Sequence, residues 1–185
     1  MHEMKDLSGR VVKHLMRMRR RLGKGYESLG IIDRLLARHL TTQNRIGLLV
    51  LKINELRLRD ETDETLKAVQ EYLSLVPKQP EPWMMLANFY REDARDPKMA
   101  VLVSDVALAI AKLDGNFVRQ ALGERMRSLL AANRTNEANA CLQQLSNYKP
   151  TKTSIDIDFE DDFLSICNAS LLDQNIVSSY RALLR

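Results

Sequence analysis

Histidine, cysteine, aromatic side chains and long apolar runs are all scarce in this chain, and each scarcity removes a class of function. The histidines, His2, His14 and His39, have neither an i, i+4 partner nor a cysteine neighbour, so the ligand spacing of a zinc site is missing. The phosphate-cradling GxxxxGK and GxGxxG loops do not occur, nor does the GxSxG turn that presents a nucleophilic serine. The clustered carboxylates Asp156, Asp158, Glu160, Asp161 and Asp162 lack the spaced oxygens and the glycine of a calcium loop. No metal, cofactor or catalytic group is therefore expected, and the chain reads as a non-enzyme. No apolar stretch approaches the roughly 20 residues that span a bilayer. The N-terminus lacks the apolar centre of a secretory signal. Cys141 and Cys167 have no CxxC spacing and read as free thiols of a reducing compartment, so a cytoplasmic location is expected.

Leu, Ala, Met and Arg dominate what remains, while glycine is held to 7 and proline to 5, which favours helix over strand. No segment alternates in the manner of a half-exposed strand. The net charge of +4 is unevenly placed. Residues 1–60 carry 14 Lys/Arg against 6 Asp/Glu, a balance of +8, whereas residues 61–150 balance at −1 and residues 151–185 at −3. The positive field is thus concentrated at the start of the chain, and an acidic cluster at 156–162 lies near its end.

Apolar spacing and punctuating residues predict paired helices. Ser8 offers a cap to a first helix that ends at Gly23-Lys24-Gly25, and Leu29 to Leu40 supplies the apolar stripe of a second. Thr41-Thr42-Gln43-Asn44 breaks that helix, and Ile46 to Leu58 reads as a third. A fourth, entered through acidic residues 60–64, stops at Val76 before Pro77. Pro82 opens a fifth helix through Tyr90, and Asp96-Pro97 caps and opens a sixth that Asp114-Gly115-Asn116 closes. Two more are predicted over 117–132 and 136–148, with Thr135 as the cap of the second. Residues 149–154 are expected to form a hinge, and Phe159 to Ile166 and Ile176 to Leu184 suggest short C-terminal helices.

A period of 34 residues links Leu49 to Trp83 and Asn54 to Asn88, as expected of a helical repeat array. On these residues the chain resembles the tetratricopeptide repeat family. Trp83, Leu86, Ala87 and Tyr90 match the family's first helix; Ala100, Ala107 and Ala138 take small positions of its second; Pro77 takes the closing proline. The resemblance implies an all-α fold, a right-handed α-solenoid of antiparallel helix pairs at about 11–44, 45–78, 79–113 and 114–150. Residues 151–185 would follow as an acidic linker and C-terminal capping helices. The match of 114–150 is blurred by a few inserted residues within 112–122. Small residues let helix backbones approach closely while Trp83, Leu86 and Tyr90 fill the gaps.

The resemblance implies a protein-binding scaffold whose first helices line a concave groove for a peptide or partner helix. Asn54 and Asn88 hold a place where the family often presents an amide to a bound backbone, for which its donors and acceptor suit it. Arg119 and Arg125 would extend a basic lining. The lysine of the family's carboxylate clamp is not reproduced, because Val50 and Met84 stand in its place. Lys13, Arg17, Arg20, Arg21 and Lys24 form a basic patch along the first helix, suited to an acidic partner or, alternatively, to nucleic acid. The acidic 156–162 stretch could fold back onto the basic N-terminal surface of its own or a neighbouring chain, so a homodimer is a further expected partner, and a regulatory domain of a larger enzyme or secretion component is the third reading.

Overall fold

The computed structural model describes residues 28–148, 173–175 and 177–178. The first predicted helix, the basic patch from Lys13 to Lys24, the 149–154 hinge, the acidic 156–162 cluster and Cys167 lie outside these residues. The described chain is all-α: seven helices, with no strand among the described residues. No helix among them is long and apolar enough to cross a membrane. The chain divides between Val76 and Pro77 into two compact units.

The first unit contains α1 (Ser28–Leu36), α2 (Thr42–Arg57) and α3 (Thr62–Leu75), with α2 packed against both others. Thr41 caps α2, its hydroxyl accepting from the Asn44 amide at 3.4 Å. The helix thus opens at Thr42, four residues before its first periodic apolar position, Ile46. Ile32 and Leu48 form a small core with Leu35, Leu36 and Leu51 around them. Arg45 ties all three helices together. Its Nη1 donates to the Leu36 carbonyl at the end of α1 at 3.2 Å, and its Nε to Glu71 of α3 at 2.8 Å. Lys52 adds an ion pair to Asp33 of α1 at 2.8 Å.

The second unit contains α4 (Pro80–Glu92), α5 (Pro97–Asp114), α6 (Val118–Ala131) and α7 (Thr135–Leu145). Each helix packs on the next, and α4 also packs on α6. Proline begins two of the four. Pro80 rather than Pro82 opens α4, two residues earlier than the sequence predicts, and Pro97 opens α5. Asp96 caps α5 as expected, accepting from the Met99 amide at 3.1 Å. Gly115 closes it in the left-handed conformation (φ 77°), its amide reaching the Ala111 carbonyl at 2.8 Å. The expected cap at Thr135 is corrected. Arg134 is the cap residue, because its carbonyl already accepts from the Ala138 amide at 3.1 Å, and Thr135 lies inside the first turn without a side-chain cap bond.

Ala87, Ala100, Ala107, Ala121 and Ala138 are fully buried, and where no side chain intervenes the helix backbones approach closely. Leu86 is buried with them, while Trp83 and Tyr90 are only half-buried. Trp83 closes the entry to α4 by donating its Nε1–H to the Pro77 carbonyl at 2.8 Å. Phe89 of α4 is buried and met edge-on by its neighbour Tyr90, with centroids 5.6 Å apart. The core continues through Leu122, Met126, Leu129, Cys141, Leu142 and Leu145. Val177, from a C-terminal turn, completes it. That turn is anchored where the Asp173 amide donates to Asn139 Oδ1 of α7 at 3.0 Å.

Replacing the Asp96 cap by alanine is expected to cost about 1 kcal/mol. Thr135→Ala, which removes no cap bond, is expected to stay within about 0.5 kcal/mol of the parent. Urea unfolding followed by circular dichroism measures both, and equal losses would contradict the cap assignment.

Candidate functional site

Helix α6 has almost no exposed face: Val118, Arg119, Ala121, Leu122, Gly123, Glu124, Met126, Ser128 and Leu129 are all buried. Three of these are polar, and burial of a polar group is costly unless it is bonded. Ser128 donates to the Glu124 carbonyl at 3.0 Å. Arg119 donates from Nη1 to the Tyr148 carbonyl beyond α7 at 3.2 Å. Half-buried Arg125 bonds Asp105 of α5 through Nε and the Cys141 sulfur of α7 through Nη1 at 2.9 Å. Both arginines expected to line a ligand groove are therefore engaged in joining α6 to its neighbours.

The electrostatics of that junction follow from burial and bonding. Burial pulls the Arg125 guanidinium down most strongly, but its bonds to Asp105 and Cys141 together outweigh it and leave it above the ordinary value. Burial pushes the Cys141 thiol up, and Arg125 offsets only part of the rise. A raised thiol pKa favours the folded chain below the ordinary thiol range, and that contribution is lost as pH rises through the shifted value.

Between α4 and α6 the arrangement is different. Arg91 Nη1 lies 3.3 Å from Glu124 Oε1, with both side chains 7% exposed, so a buried ion pair joins the two helices. Arg127, one turn beyond Glu124, approaches its Oε2 at 3.9 Å. On the solvent side, Arg91 Nε donates to exposed Glu92 at 2.8 Å. Arg91, Glu92, Arg127, Leu130 and Ala131 line an open cavity of about 290 Å³. Its wall is thus two guanidinium groups, both within ion-pair distance of buried Glu124, beside an apolar patch and the surface carboxylate of Glu92. That combination suits a segment carrying a carboxylate next to an apolar side chain.

Asn88 sits one turn before Arg91 and Glu92 on α4, where residues three and four apart share a face. It is half-buried, and its Oδ1 is buried without a hydrogen-bond partner among the described residues. Asn54, on α2 in the first unit, is instead exposed. The two asparagines, one period apart in sequence, therefore occupy different environments.

Arg91 and Arg127 were legible in the sequence, but under another offset. They stand 36 residues apart, as do Leu86 and Leu122, Ala87 and Gly123, and Asn88 and Glu124. The extra length lies in α5, which runs for 18 residues where α3 runs for 14, and not in the turn that follows it. A strict period of 34 selects Arg125 in place of Arg127.

Arg91→Met is expected to destabilise the chain by about 3 kcal/mol, because Glu124 loses a buried partner, and Arg91→Met with Glu124→Met is expected to recover at least half. Additive losses in urea unfolding would contradict a direct pairing. In a Cys167→Ser chain, Cys141 is expected to react with a thiol reagent at neutral pH no faster than the protein unfolds; prompt labelling would show an accessible thiol. Comparison with known proteins gave no match to a family model, to a curated protein or to a solved structure.

Proposed function

We propose that this chain is a non-enzymatic scaffold of the tetratricopeptide-like kind, built as a right-handed solenoid of antiparallel helix pairs, that binds an acidic protein segment along α4 and α6. The observation that carries the reading is the cavity between these helices, where Arg91 and Arg127 flank the apolar pair Leu130 and Ala131. The neighbour relations of the second unit support the solenoid: α4 contacts α5 and α6, α5 contacts α6, and α6 contacts α7, as successive helix pairs require. First helices of adjacent pairs then stand side by side, which is where the family places its ligand.

In this reading Arg127 and the outer edge of Arg91 meet the ligand carboxylate, which displaces Glu92. Asn88, one turn before Glu92, keeps its carbonyl oxygen buried behind the cavity wall and would meet a ligand N–H only once Glu92 is displaced. Arg119 and Arg125 hold α6 in place and do not touch the ligand. Binding that depends on a few charge-assisted bonds weakens with salt and is lost tenfold for each 1.4 kcal/mol removed.

A fluorescence-polarisation screen of short acidic and neutral peptides tests the reading. Acidic peptides with a neighbouring apolar residue are expected to bind, Arg127→Gln with Asn88→Ala to weaken them about tenfold, and Glu92→Gln to tighten them. Unchanged affinity in the Arg127/Asn88 variant, or binding by nucleic acid alone with a steep salt dependence, would overturn it.

A further inference from the structure

Helix α5 is buried along one side, through Ala100, Val101, Ser104, Ala107, Leu108 and Ala111. Its other side presents Met99, Leu102, Val106, Ala109 and Leu113, at alternating spacings of three and four. These are the a and d positions of a heptad, maintained over about 21 Å of helix. They are turned outward: Leu113 is 90% exposed, Leu102 59%, Val106 39% and Met99 36%. Single exposed leucines are ordinary, but a contiguous seam along one helix marks a surface that another molecule covers.

We propose that a second copy of this chain covers the seam, with α5 packed antiparallel against its counterpart. The flanking charges are Lys98, Asp105 and Lys112, all exposed and all one place before an a position. In a parallel pair these positions face the place after d, which holds Val103 and Ile110 here, so no charge finds a partner. In an antiparallel pair they face each other. One register sets Asp105 against Asp105 and Lys98 against Lys112 of the second copy, which is repulsive. Sliding by one heptad sets Asp105 against Lys112 of the second copy, and symmetry makes this attraction twice over. Asp105 remains 45% exposed while bound to Arg125, so it is open to this contact.

The attractive register places Leu102 against Leu113 of the second copy and Val106 against its Ala109. The most exposed apolar residue of α5 thereby meets the next most exposed one. The overlap, about 17 Å of a single helix pair, is smaller than a standard stable interface, so the association is concentration-dependent. This inference is independent of the ligand reading, because α5 contributes nothing to the cavity between α4 and α6.

Analytical ultracentrifugation over a concentration series is expected to show mass rising from 21.2 kDa towards twice that value. Leu102→Glu is expected to remain monomeric with unchanged helicity. In a Cys167→Ser background, Leu102→Cys and Leu113→Cys chains are expected to form a disulfide heterodimer when mixed and oxidised, while neither variant alone cross-links. A dimer that survives Leu102→Glu, or cross-linking of a single variant with itself, would overturn the pairing. A chain that stays monomeric at its highest soluble concentration would overturn it as well, and shielding of either introduced cysteine in that monomer would assign the seam to another segment of the same chain.

Discussion

Helix α6 is enclosed by α4, α5 and α7, and a charged side chain too short to reach solvent must therefore find a partner on a neighbouring element or leave an unpaired charge in the interior. This requirement organises the second unit. Glu124 faces α4 and pairs with Arg91; Arg125 faces α5 and α7 and pairs with Asp105 and Cys141; Arg119 reaches the carbonyl of Tyr148. Each of these contacts joins α6 to another part of the unit. Apolar packing around Leu122, Met126 and Leu129 supplies the burial, and the charged bonds specify how the helices are oriented about it.

Much of the fold is legible from residues whose chemistry is local. Pro77, Asp96-Pro97 and Gly115 act through backbone conformation and capping, so the ends of α3 and α5 and the start of α5 fall where the sequence places them. Small residues such as Ala87, Ala100 and Ala138 are legible for the same reason, since only a small side chain permits close helix approach. Thr135 is not, because any threonine near a helix start resembles a cap until the backbone bond to the Arg134 carbonyl is seen.

The site is less legible because charge type does not reveal which way a side chain faces. Arg119 and Arg125 have the residue type of a ligand lining, yet the enclosure of α6 draws both into joints between elements. The arginines of the proposed ligand site, Arg91 and Arg127, are displaced from the strict period, α5 being longer than α3. Asn54 and Asn88 keep the period but not the environment: one is exposed, the other has a buried, unbonded carbonyl oxygen. A repeat identifies equivalent positions; packing decides what each position does.

The two surfaces of the second unit differ in chemistry. The α4–α6 cavity combines guanidinium groups with a small apolar patch, as a short charged segment requires, whereas α5 offers an apolar seam with sparse charges, as another helix requires. On the proposed reading, such a scaffold would hold a ligand on one pair of helices and its own copy on another. The central claim concerns the first of these, and two-dimensional NMR of the labelled chain during titration with an acidic peptide tests it most directly. The account predicts that shift changes concentrate on Asn88, Arg91, Glu92, Arg127, Leu130 and Ala131, with α5 and α7 unaffected. Changes centred on any other helix face, with this set unmoved at saturation, would contradict it.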